Sequence, residues 1–338
     1  MVQGQACRHT KRYDMKRIYS NLMLGLAAFI WGVAFVAQSV GMEYVGPFTF
    51  NAARFLIGGT VLIPCILFPG DRNRKDKPAG SGAAVLSQTE GKSSAVLNNG
   101  QAAGRQPGEK VRIGIAGGIC CGTALFAGSS FQQLGIMYTT VGKAGFITAL
   151  YIVIVPVLGI FVKKKVGWTV WVSVMLATIG MYLLCMTEGF RVGKGDVYLF
   201  LCAIAFSLHI LVIDYFSPKA DGVFISCVQF FTAGVLAFAV MIFTEQPSLA
   251  SILKAWLPIA YAGVMSCGVA YTLQVVGQKN TDPTIAALIL SLESVFSLLA
   301  GWVILGQKLS PKELFGCVLV FGGILLTQVP VKTPKKTG

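Results

Sequence analysis

Residues 280–326 read NTDPTIAALILSLESVFSLLAGWVILGQKLSPKELFGCVLVFGGILL, and residues 138–184 read YTTVGKAGFITALYIVIVPVLGIFVKKKVGWTVWVSVMLATIGMYLL. The two align without a gap at an offset of 142 residues: Thr139 meets Thr281, Ala144 meets Ala286, Ile147 meets Ile289, Leu150 meets Leu292, Val153 meets Val295 and Gly159 meets Gly301. Gly180, Leu183 and Leu184 meet Gly322, Leu325 and Leu326; upstream, Gln132 meets Gln274 and Gly135 meets Gly277. Leucine and valine coincidences are cheap in apolar sequence, but glycines and glutamines paired at one offset are not. Nearer the N-terminus the best offset is 175, which sets Trp31-Gly32 over Phe206-Ser207 and Phe55 over Phe230. The change of offset is close to the length of a basic insertion between residues 70 and 112. The chain therefore reads as an internal duplication.

The aligned stretches belong to a series of ten apolar runs: 21–40, 47–69, 113–137, 144–162, 167–187, 196–217, 222–243, 255–277, 283–305 and 312–329. Of the 338 residues, 54% are hydrophobic and only 12% charged, against about 25% charged in soluble domains. Mean hydropathy is +0.69. These values exclude a soluble globular, disordered, collagen-like or coiled-coil chain. The runs are long and continuous, as membrane helices need, and unlike the short alternating segments of membrane strands. Backbone groups in lipid must be satisfied internally, so the predicted fold is an all-α membrane protein of ten transmembrane helices. The run 21–40 is too long for a signal-peptide core and no small-residue cleavage site follows it, so it is read as a retained first span. Met15 heads Lys16-Arg17-Ile18-Tyr19, which leaves Met1 and Met15 as alternative translation starts.

Lysine and arginine in the loops set the orientation. With the N-terminus cytoplasmic, 21 of them fall on the cytoplasmic side and six outside, and Arg54 stays within a span. Both termini are expected in the cytoplasm. Each half then holds five spans, an odd number, so the halves must cross in opposite directions. The expected domains are a tail at 1–20, a five-helix repeat at 21–187, an inverted five-helix repeat at 196–329 and a tail at 330–338. The 70–112 loop is Gly-, Ser-, Asn- and Gln-rich after its basic opening and reads as a disordered cytoplasmic insertion. Inverted repeats build a central site that can open to either side.

Several function classes drop out. The formal charge of +14 sits mostly in short runs beside the apolar segments, where it meets anionic headgroups, so no nucleic-acid partner is expected. The nine cysteines form no C-x-x-C pair and read as small apolar fillers. Two histidines exclude a histidine-rich metal site. No G-x-S-x-G, H-E-x-x-H or Walker A motif occurs, so the chain reads as neither an enzyme nor an ATP-driven pump. No cofactor is expected, other than a coupling proton. The expected partners are a small-molecule substrate and the lipid bilayer. Gly114, Gly118 and Gly122 make a small-residue face read as intramolecular packing, with a homodimer contact as the alternative.

Leu26-Ala27-Ala28-Phe29-Ile30-Trp31-Gly32-Val33-Ala34-Phe35, followed by Gly46-Pro47-Phe48-Thr49-Phe50-Asn51-Ala52-Ala53-Arg54-Phe55, resembles the opening of EamA-type members of the drug/metabolite transporter superfamily. Ala287-Leu288-Ile289-Leu290-Ser291-Leu292-Glu293-Ser294-Val295-Phe296, then Gly301-Trp302 and Leu314-Phe315-Gly316, strengthens the resemblance. It covers nearly the whole chain apart from the tail and the 70–112 loop. It implies ten helices in two inverted repeats, a central cavity and transport of small metabolites, often export of amino acids or related compounds. One departure is that the position after Glu293, often proline in such sequences, is Ser294, which removes the residue expected to distort that helix.

Ionisable groups near mid-bilayer are costly and usually face a cavity or a partner. Glu293 lies about 15 Å into its span. Ala286, Glu293, Ser294, Ser297, Ala300 and Gly301 share one face of that helix, opposite Leu288, Leu292, Val295, Leu299, Trp302 and Val303. Glu293 is a candidate for a substrate amine or a coupling proton, against a structural hydrogen bond to a neighbouring helix. Its repeat partner is Tyr151, which makes a polar pair across the pseudo-axis plausible. Arg54 lies about 10 Å into its span, with Asn51 on its face, and suits a substrate carboxylate; an interhelical ion pair or snorkelling is the alternative. His209 is a proton carrier or a satisfied core histidine. Gln132 and Gln274 are repeat-related amides suited to lining a cavity, and Trp31 suits stacking on a substrate ring.

The expected function is a secondary-active or facilitative permease of small metabolites in the plasma (inner) membrane, exporting by alternating access. A nucleotide-sugar-type carrier and a non-transporting scaffold or lipid-binding protein are the alternatives.

Overall fold

The computed structural model describes residues 2–67, 107–139, 141–161, 166–185, 193–306 and 310–328. Most of the 70–112 loop, Lys163 to Lys165 and the C-terminal tail lie outside the described residues.

Every regular element described is helical. The order is α1 (Val2–Gly41), α2 (Pro47–Leu67), α3 (Pro107–Ile136), α4 (Val141–Thr148), α5 (Tyr151–Phe161), α6 (Trp168–Cys185), α7 (Lys194–Phe216) and α8 (Gly222–Thr244). Then come α9 (Leu249–Lys254), α10 (Trp256–Ala260), a π-helical segment (Tyr261–Tyr271), α11 (Thr272–Gln278), α12 (Pro283–Leu290), α13 (Leu292–Leu305) and α14 (Pro311–Gln328). The first helix runs back through the N-terminal tail, and α3 begins inside the segment expected to be a loop. Eight helical stretches are long and apolar enough to cross a membrane. The two shorter partners are Trp168–Leu183, the apolar part of α6, and α14 with 18 residues.

Local chemistry sets the helix starts. Asp221 accepts from Phe224 N at 2.9 Å and Asp282 from Thr284 N at 2.9 Å. Pro283 follows Asp282 at a position where its missing N–H costs nothing. Ser310 and Glu313 cap α14 reciprocally: Ser310 N donates to Glu313 Oε2 at 2.6 Å and Glu313 N to Ser310 Oγ at 3.2 Å. Gly306, at φ 65°, ends α13 in the left-handed region.

The bundle exposes large apolar side chains and buries a set of polar ones within its apolar core. Phe161, Trp168 and Phe243 are each at least 80% exposed, whereas Gln38, Asn51, Arg54, Gln132, Gln133, His209, Gln229, Gln274, Gln278 and Glu293 are all buried. Such a distribution suits a lipid surround, where an unpartnered polar group is expensive.

One pair of repeat-related glycines, Gly135 and Gly277, makes equivalent contacts. A Cβ on Gly135 would meet Leu199 and the carbonyl of Gly195; one on Gly277 would meet Leu24 and the carbonyl of Ser20. Leu24 and Leu199, like Ser20 and Gly195, stand 175 residues apart. Gly180 abuts the carbonyl of Gly316 and Gly323 the carbonyl of Ser173, which seats α6 directly on α14. Gly114, Gly118 and Gly122 pack on Phe224, Val228 and the carbonyl of Gln229 respectively. The glycine stripe is thus used within the chain, against α8.

The duplication also shows in two interrupted helices. After Thr148 and after Leu290, residues 142 apart, the α-helix gives way to a tighter turn. Ile152 N bonds Ala149 O at 3.0 Å, and Ser294 N bonds Ser291 O at 3.1 Å, the same three-residue closure at the same repeat position. The expected loss of distortion at the ninth run is corrected here: the helix is interrupted without proline. The hydroxyls of Ser291, Ser294 and Ser297 each donate to the carbonyl three residues earlier, at 2.7, 2.7 and 2.9 Å. Such local bonds compete with the helical ladder. The two-faced reading of this run holds only towards its end: α12 is buried all round and Leu292 and Val295 are buried too, while Trp302 and Val303 are exposed.

Candidate functional site

Side chains from α1, α2, α3, α5, α7, the π-helical segment, α11, α12 and α13 converge on one central cavity, lined by Trp31, Phe35, Gln38, Arg54, Gln132, Tyr151, Phe206, His209, Ile210, Ser266, Tyr271, Gln274, Leu290 and Glu293. Its volume is about 30 Å³, room for about two or three waters, so the site is narrow and a metabolite requires it to widen.

Three polar pairs divide the cavity along the bundle. At its middle, Tyr151 donates its hydroxyl to Glu293 Oε1 at 2.9 Å. The two residues are 142 apart, the repeat offset, and both sit at the helix interruptions. Towards the end where α2 begins, Arg54 Nη1 donates to Gln38 Oε1 at 3.1 Å. Towards the end where α8 begins, His209 Nε2 lies 3.1 Å from Gln229 Oε1. Arg54 and Gln229 are themselves 175 apart, and each takes its partner from the preceding span. The mates Phe55 and Phe230 stack with centroids 6.4 Å apart.

Gln132 and Gln274 lie four residues before the ends of α3 and α11, about 6 Å from each end. Trp31 packs against Tyr271 at a tilt of 58° with centroids 4.5 Å apart, and Tyr271 meets His209 and Phe230 edge-on, each at 5.9 Å. The lining thus mixes aromatic and polar side chains.

Seven of the nine residues singled out from the sequence line this cavity: Glu293, Arg54, Gln132, Gln274, Tyr151, His209 and Trp31. Asn51 and Ser297 are not among its lining residues. Asn51 is fully buried with neither amide atom hydrogen-bonded, and Ser297 turns its hydroxyl back to Ser294 O. Gln38, Ser266 and Tyr271 line the cavity without having been read from the sequence. Helical spacing carried a signal for two of them, since Gln38 is seven residues after Trp31 and Tyr271 three before Gln274. The alternatives weighed for Arg54 do not hold among the described residues: it is 1% exposed, so it does not snorkel, and its hydrogen-bond partner is an amide rather than a carboxylate.

A multi-pass helical bundle with a buried polar cavity between duplicated halves defines a class, the polytopic membrane proteins that handle small molecules. This chain belongs to the EamA-like transporter family, whose model matches residues 18–90 and 193–329. That family is consistent with the drug/metabolite transporter superfamily. An uncharacterized transporter of Archaeoglobus fulgidus is 29% identical over 320 residues, 94% of this chain and 88% of the relative. The uncharacterized transporter YyaM of Bacillus subtilis is 27% identical over 132 residues, 38% of this chain and 42% of the relative. A crystal structure superposes with a TM-score of 0.67 at 19% identity, covering 91% of this chain and 96% of the other, which is a likeness of fold. The protein is a membrane transporter.

Proposed function

We propose that the chain is a secondary-active or facilitative permease that moves small metabolites, amino acids or related compounds, by alternating access. It has ten spans in two inverted repeats, 21–187 and 196–329, with both termini cytoplasmic, in the plasma membrane. The observation that carries the reading is the Tyr151–Glu293 hydrogen bond. Under a two-fold axis a residue reaches its own mate only beside that axis, and this pair lies in the cavity where two equivalent helices are interrupted. Interrupted helices near the bilayer midplane are where transporters of inverted-repeat design bind their substrates.

Opposed directions of the halves are supported by packing. Gly277 meets the start of the apolar part of α1, Ile18–Gly41, at the bundle end where α8 begins, while Gly135 meets the start of α7 at the other end. Glu293 carries either a substrate amine or a coupling proton, and export is the direction that the family resemblance implies.

Counterflow in proteoliposomes tests the reading. Vesicles preloaded with pooled amino acids and other metabolites, with and without a pH gradient, are expected to accumulate labelled substrate. Glu293→Gln should reduce that accumulation at least about tenfold, as loss of a buried charged partner does. Folded wild-type protein that moves no compound would favour a scaffold or lipid-binding role.

A further inference from the structure

Arg54 is the one arginine or lysine among the cavity-lining residues, and most of its hydrogen-bonding capacity is unspent. Nη1 donates to Gln38 Oε1 at 3.1 Å. Nε and Nη2 are buried without a hydrogen-bond partner. These two nitrogens form one edge of the planar guanidinium, the edge that takes both oxygens of a carboxylate side-on. The group is fixed in place. Its Cζ lies 4.8 Å from the ring centroid of Phe55 and 5.7 Å from that of Phe50, and Gln38 holds the far nitrogen. Trp31 Nε1, from the same cavity wall as Gln38, is also buried without an acceptor. Glu293 does not supply the missing acceptor, since its carboxylate accepts from Tyr151 and no ion pair joins it to Arg54 among the described residues.

A buried cation with two unused donors is unfavourable unless something supplies acceptors. We propose that the Nε–Nη2 edge of Arg54 binds a carboxylate of the transported molecule, with Gln38 as its positioning residue. The assignment rests on the transporter reading and deepens it: the ligand carries a carboxylate, and that group seats in the half of the cavity nearer the start of α2. The repeat mate of Arg54 is the neutral Gln229, so the anion site exists in one half only and gives the ligand a fixed polarity in the cavity.

Thermal unfolding of the purified protein in detergent tests this without requiring flux. Matched probes are benzoate with benzamide, succinate with succinamide and L-leucine with L-leucinamide, at ionic strength held constant with chloride. At least one acid is expected to raise the unfolding temperature of wild type while its amide does not. Arg54→Met should abolish that response, and unliganded Arg54→Met should unfold at a higher temperature than wild type because an unpartnered buried cation is gone. Arg54→Lys keeps the charge without the two-pronged edge; it should bind the acid about tenfold more weakly, and it carries the test if Arg54→Met does not fold. The proposal is overturned if no acid stabilises wild type more than its amide, or if the acid response survives in the variants. Counterflow that ignores the carboxylate would overturn this assignment and leave the transporter reading. Acid binding without flux would do the reverse.

Discussion

Glu293 and Tyr151 show how much a single residue pair can carry. Each is an odd choice for the middle of an apolar run, and the repeat offset joins them in the sequence before any geometry is known. Their contact was therefore legible, as were the seven lining residues found by polarity and depth. Gln38 was not, because its counterpart at the 175 offset is Ile213 and an amide three residues from a helix end looks interfacial. Ser297 had the right face but its hydroxyl is consumed locally, and Gly32 and Gly145 both crowd it. Glu293 accepts a hydrogen bond from the hydroxyl of Tyr151. Bonds to charged groups contribute about 1.5–3 kcal/mol, so Tyr151→Phe should slow counterflow by roughly tenfold or more. Its near-ultraviolet circular dichroism and monodispersity should stay as in wild type; unchanged flux would make the bond incidental to transport.

Helices rather than residues decide how the cavity is built. The long apolar runs marked the eight helical stretches long enough to cross a membrane, but not their internal breaks. The interruptions at Thr148 and Leu290 arise from backbone closures that apolar periodicity does not encode, and the proline rule failed because serine hydroxyls supply a different disruption. Nothing in composition marks Tyr261–Tyr271 as π-helical, yet Ser266 and Tyr271 reach the cavity from it; wider turns of this kind gather at functional sites. Glycine contacts give this scale its prediction. A Cβ on Gly122 would stand 2.6 Å from the carbonyl of Gln229 and from Thr232 Cβ, whereas one on Gly25 meets nothing within 4 Å. Gly122→Ala should lower stability by about 1–3 kcal/mol through overpacking, while Gly25→Ala should be neutral or gain up to about 1 kcal/mol of helix propensity. Paired unfolding curves in one detergent check the contrast, which disappears if the α3–α8 seam is loose.

At the scale of the molecule, the duplication organises everything else. Gly135 and Gly277 touch residues that stand 175 apart, two helices break at positions 142 apart, and mates meet at Phe55–Phe230 and Tyr151–Glu293. The charged members are not duplicated: Arg54 faces a neutral counterpart in Gln229, and Glu293 one in Tyr151. On the proposed repeat arrangement, the site itself is asymmetric. The central claim is that this one site reaches each face of the membrane in turn. Ser266 lines the cavity and is buried, and its hydroxyl is close in size to a thiol. The direct measurement places Ser266→Cys in a background whose native cysteines are replaced, then applies a membrane-impermeant thiol reagent to right-side-out and inside-out vesicles. The account predicts labelling from both faces, slowed by substrate, with no passage of reagent through the vesicle wall. Labelling confined to one face under every condition, or free passage of reagent across the membrane, would contradict it.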